Sequence, residues 1–138
     1  MATYDQSTPG TPAPSLVTIA NVVYALHTVS LVIGAFGAAT VVGTFLFGWP
    51  SIIGVIINYV KRGEARGTWL ESHFRWQIRT FWYALLWAVL SALVSLVLAP
   101  ILVGFLTWPV LLFLLGLWAI YRITRGWLAL RDAKPMPE

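Results

Sequence analysis

Cysteine is absent from this chain, which excludes disulfides, thiolate chemistry and cysteine-ligated metal centres. Charge is scarce as well. Nine basic and five acidic side chains make up only 10% of the 138 residues, against about 25% in soluble domains. Only Glu64 and Glu71 lie near the apolar runs. An enzyme site needs a positioned acid, base, nucleophile or metal. Two histidines and two carboxylates assemble neither a zinc-protease motif nor a paired-carboxylate site. Ser72 and His73 are neighbours on a helix, point to different faces and form no dyad. No glycine-rich phosphate loop occurs. The expectation is a protein with no catalytic residues, no metal and no cofactor.

What fills the chain instead is apolar. Hydrophobic residues reach 59%, more than a domain this small can hide from water, so lipid is the simpler solvent. Eight Trp, seven Phe and five Tyr are the excess expected where amphipathic rings sit at headgroup level. The net charge of +4 and pI near 9.9 do not point to nucleic acid, because the basic residues flank apolar spans and leave no long soluble basic surface. Attraction to anionic lipid fits that placement better.

The charge map locates the spans. Leu16–Val60 and Thr80–Tyr121 contain no Asp, Glu, Lys or Arg over 45 and 42 residues. One helical crossing needs about 20 residues, so each run is expected to form a hairpin. The fold class is thus an all-α, integral membrane four-helix bundle of two hairpins, with an interfacial amphipathic segment leading into the third helix. The first turn has two candidate sites, the small-residue stretch Gly37–Gly43 and Gly48-Trp49-Pro50. The second is the stronger punctuation, since proline suits the first turn of a helix. Thr107-Trp108-Pro109 repeats that grammar, and each Trp-Pro pair is expected to open a helix ending in Tyr and basic residues. A short apolar core in the second helix follows.

Lys61, Arg62, Arg66, Arg75 and Arg79 lie between the hairpins, and Arg122, Arg125, Arg131 and Lys134 follow the last helix. By the positive-inside rule both termini and the connector are expected in the cytoplasm. Residues 1–15, rich in Pro, Thr and Ser without a basic residue, read as a disordered cytoplasmic tail and not a secretory signal. Residues 16–126 form the transmembrane domain and 127–138 a cytoplasmic C-terminal tail.

The candidate polar positions are few. His27 lies eleven residues inside the first apolar run, with Tyr24 and Ser30 one turn to either side and Asn21 beyond. An intramembrane ionisable group is a functional hypothesis by default, yet with no carboxylate for a proton relay, a cross-helix bond is the better reading. Asn58 and Gln77 suit the same role, and Gly34, Gly37, Ala38 and Gly54 permit close helix approach. In Thr68–Trp82, Thr68 and Glu71 have capping-box spacing, while Glu71, Arg75 and Arg79 recur on one face. With Trp69, His73, Phe74 and Trp76 they predict a helix that starts at Thr68 in the headgroup region. Lys61, Arg62, Arg66, Arg122 and Arg125 are the expected contacts to anionic headgroups.

His27-Thr28-Val29-Ser30, the apolar helix from Pro50 to Lys61-Arg62, and Glu71-Ser72-His73-Phe74-Arg75-Trp76-Gln77-Ile78 together resemble a widespread bacterial family of small four-helix membrane proteins. That family is related to the Tic-twenty component of chloroplast protein import. The resemblance covers roughly residues 20–125, and departs where Arg75-Trp76-Gln77 replaces the Asn-Phe-Gln common among relatives. It implies a helical module of the bacterial inner membrane with a link to translocation or assembly. The expected function is non-enzymatic, as a subunit or assembly factor contacting lipids and another membrane protein or its own copies. The alternative is an oligomeric transporter or pore.

Overall fold

The structure, a computed structural model, describes residues 10–37, 41–101 and 103–137, which form four α-helices and no strand. Helix α1 spans Pro14–Gly37, α2 Val41–Lys61, α3 Leu70–Leu98 and α4 Val103–Arg131, with a 3-10 turn at Ala99–Ile101. Pro14 opens α1, a position where the missing N–H had no intrahelical partner to lose. α1 packs along α2 and α3 along α4, and α1 also lies against α4.

The pattern is inside-out relative to a water-soluble protein. On α1 the buried residues are Leu16, Ala20, Val23, Tyr24, His27 and Ser30, a single face at helical spacing that includes small and polar side chains. Val22, Val29 and Val32 point outward. On α3 the buried set is Leu70, His73, Phe74, Gln77, Thr80, Ser91 and Ser95, while Trp82, Leu86, Trp87, Leu93 and Val97 are exposed. Water would reject that outer surface. Lipid accepts it, leaving the few polar groups to join helices. The stretches Pro14–Ala35, Leu70–Ile101 and Val103–Arg131 are long and apolar enough to cross a membrane, which fits a membrane protein.

The core gathers at one end. Leu16, Ala20 and Tyr24 of α1 meet Ala65 of the connector, Leu70 and Phe74 of α3, and Ile123 and Leu130 of α4. The basic residues of the connector and of the last turns of α4 lie at this same end. Farther along, α3 and α4 meet closely at Gly104, where a Cβ would collide with the Ser95 carbonyl and the Ala99 backbone.

Three expectations about helix ends are corrected. α2 runs through Gly48-Trp49-Pro50, so no hairpin turn forms there. Residues 38–40, within the alternative Gly37–Gly43 stretch, lie outside the described residues. A proline is accepted inside an apolar helix when neighbours take up the freed backbone groups; here the Ser51 N–H reaches across to Ser30 Oγ at 2.9 Å. α2 is 21 residues long, from Val41 to Lys61, with Pro50 inside it. Pro109 likewise lies inside α4, and the break before it falls at Ala99-Pro100-Ile101. Finally, α3 begins at Leu70 and no reciprocal capping box forms. The Thr68 hydroxyl donates to the Ala65 carbonyl at 2.7 Å, and Glu71 Oε2 accepts from the Gly67 N–H at 3.0 Å.

Candidate functional site

The most tightly built locus surrounds His73. Its Nε2 lies 2.7 Å from the Lys134 carbonyl, an acceptor only, so Nε2 carries the proton. Nδ1 is then an acceptor, and the Tyr24 hydroxyl donates to it at 3.2 Å. Tyr24 reaches this place because position 126 is glycine: a Cβ there would strike the Tyr24 hydroxyl and ring. Trp127 stacks on Tyr24 with centroids 6.2 Å apart and donates from Nε1 to Asn21 Oδ1 at 2.9 Å. The Trp69 ring stands edge-on to His73 at 5.6 Å.

The chain must turn sharply after α4 to bring the Lys134 carbonyl to His73. Ala133 does this with φ +52°. Its N–H bonds the Leu130 carbonyl, and the Lys134 N–H bonds the Ala129 carbonyl. That pair of bonds is a Schellman C-cap. The following residues lie across the start of α3, where the Met136 N–H donates to Ser72 Oγ at 2.8 Å and the Met136 side chain is buried. Ser72 therefore anchors the C-terminal segment and does not engage the neighbouring imidazole.

A second locus joins α1 to α2. His27 Nδ1 shares a hydrogen bond with Ser51 Oγ at 3.0 Å, and Ser51 bonds Ser30 through its backbone. The expected pair His27 and Ser30 is thus brought together through Ser51, a residue that sequence reasoning did not single out. Its signal was its place directly after Pro50, where backbone bonding is interrupted. Gly54 faces this junction, where a Cβ would stand in ordinary contact with Val23, Leu26 and His27 at 3.4–3.7 Å. Gln77 donates from Nε2 to the Ala20 carbonyl at 3.0 Å, joining α3 to α1. Asn58 is fully buried. Both its side-chain polar atoms, together with His27 Nε2, Gln77 Oε1 and Ser95 Oγ, have no hydrogen-bond partner among the described residues.

The basic residues divide into separate groups. Lys61 pairs with Glu64 at 2.7 Å, Arg62 lies 5.0 Å over the Tyr59 ring, and Arg66 is exposed on the connector. Arg75 meets Glu71 at 3.5 Å, as the i,i+4 spacing predicts. Arg122 packs on Trp76 with its guanidinium 3.8 Å from the ring centre, and Arg125 is 5.8 Å from that ring. Arg79 lines a shallow groove with Ser72, Arg75, Trp76 and Pro137. Among the described residues no three His, Asp or Glu side chains gather as a metal site would require. Compared with family models, curated proteins and solved structures, the chain matches none.

Proposed function

We propose that this is a non-enzymatic, four-span protein of the bacterial inner membrane that works through helix and lipid contacts, as a subunit or assembly factor. The resemblance to the Tic-twenty-related bacterial family is part of that proposal. One observation carries it: four hydrogen bonds from buried or half-buried polar side chains join one helix to another. His27 bonds Ser51, Tyr24 bonds His73, Gln77 bonds the Ala20 carbonyl, and Trp127 bonds Asn21. α2, with 21 residues and a single charge at its last position, supplies the fourth span.

The transporter reading is favoured by a different observation. His27 Nε2, both polar atoms of Asn58 and Gln77 Oε1 are buried without protein partners among the described residues, which is the kind of lining a polar path needs. One experiment separates the two. The full chain is purified in mild detergent, its co-purifying proteins and mass are determined, and it is reconstituted for ion-flux measurement alongside His27→Gln. A stoichiometric protein partner or defined homo-oligomer, no pH-dependent flux, and unchanged assembly in the variant are expected, because a glutamine can still bond Ser51. A flux that His27→Gln abolishes without changing assembly would instead establish the transporter.

A further inference from the structure

We infer that Arg122 and Arg125, packed on the Trp76 indole, and Arg79, which lines the groove beside it, form a phosphate-binding site. This rests on the reading that the basic end of the molecule lies at headgroup level, and narrows it from a diffuse collar to three residues.

The site is prepared without its ligand. The Trp76 indole N–H donates to the Arg122 carbonyl at 3.1 Å, the Arg122 guanidinium folds over that indole, and its Nε donates to Thr80 Oγ1 at 2.8 Å. Thr80 in turn donates to the Trp76 carbonyl at 2.7 Å. This closed set of contacts fixes the guanidinium plane, and both its terminal nitrogens are left without a protein acceptor among the described residues. Arg125, one turn along the same face of α4, is steadied by donating from Nη1 to the Tyr121 hydroxyl at 2.7 Å. Arg79 lies three residues past Trp76 on α3, and both Arg79 and Arg125 are close enough to Arg122 to repel it.

Among the described residues none of these three arginines makes a salt bridge to a carboxylate. Four of the other six basic residues differ: Lys61 has Glu64, Arg75 has Glu71, and Arg131 and Lys134 share Asp132, while Arg62 and Arg66 are unpaired among the described residues but exposed at the connector. Three like charges held this close together repel unless an anion sits among them. A tetrahedral oxyanion presents several acceptors to guanidinium forks, which bind phosphate in bidentate fashion. Phosphate is thus the matching chemistry, carried either by a lipid headgroup or by a soluble molecule.

The test is native mass spectrometry of the full chain from mild detergent, titrated with dioleoylphosphatidylglycerol and, separately, dioleoylphosphatidylcholine. The wild type should retain the anionic lipid preferentially. Arg125→Gln, at an exposed residue whose loss leaves the packing intact, should weaken that retention about tenfold, the worth of one charge-assisted hydrogen bond. Arg122→Gln should weaken it further, and Arg131→Gln, at an exposed residue that pairs with Asp132, should leave it unchanged. Displacement by excess inorganic phosphate would assign the site to a soluble phosphate; persistence of the lipid would assign it to a headgroup. Equal losses in the site variants and in Arg131→Gln, or none in either, would overturn the site while leaving a general preference for anionic lipid standing. No preference for the anionic lipid in the wild type would overturn the site and the headgroup reading together.

Discussion

At the scale of single residues, glycine 126 decides more than any polar group does. The absence of a Cβ lets Tyr24 lie against the α4 backbone, and from there it donates to His73 and stacks on Trp127. Gly126→Ala should push the ring out and break both contacts. Overpacking of this kind costs about 1–3 kcal/mol. Gly116 lies in the same helix, and a Cβ there would meet nothing within 4 Å, so Gly116→Ala should be neutral or stabilising by up to about 1 kcal/mol. Thermal unfolding in detergent compares the two, and equal shifts would show that the Tyr24 seat is not under steric control. His27 was legible as important because a polar side chain in an apolar run is costly and rarely idle, while His73 and Gln77 were legible only as members of the charged, aromatic segment that leads into α3. Their partners were not legible. Tyr24 and His73 are 49 positions apart, and only the packing register of α1 against α3 brings them together.

At the scale of elements, helix ends were the hardest feature to read. Pro50 and Pro109 look like helix openers, since local chemistry favours proline in a first turn. Inside an apolar helix the competing fact is that a neighbouring helix can supply the missing bonds, as Ser30 does for the backbone after Pro50. The C-terminal turn of α4 was equally hidden, because alanine at position 133 carries none of the signal that glycine gives at such a cap. Its left-handed backbone costs roughly 1–2 kcal/mol for a residue with a Cβ. Ala133→Gly should recover about 1 kcal/mol of that and hold the Lys134 carbonyl more firmly on His73. Slower hydrogen exchange at the Met136 amide, together with a higher unfolding temperature, is the expected result. Faster exchange would mean that the turn gains more from the methyl group than it loses to strain.

At the scale of the whole molecule, charge sparsity and apolar run length made an all-helical membrane protein readable, because both follow from the solvent alone. The inside-out burial agrees, with Ser91 and Ser95 inward and Leu93 and Val97 outward. The proposed orientation rests on a separate effect, the bias that keeps basic residues on the cytoplasmic side. The chain has no native cysteine, so single cysteines placed at Gly63, Ala39 and Pro100 report accessibility without background. In intact cells a membrane-impermeant maleimide should label positions 39 and 100 and spare position 63. Each alternative pattern removes a different part of the reading. Position 63 labelled with 39 and 100 protected would reverse the orientation and refute the charge argument. Positions 63 and 100 on one side would mean that α3 does not cross, and positions 39 and 63 on one side would mean the same for α2. The second result would leave three spans, place the two termini on opposite sides, and remove the fourth helix from the proposed bundle.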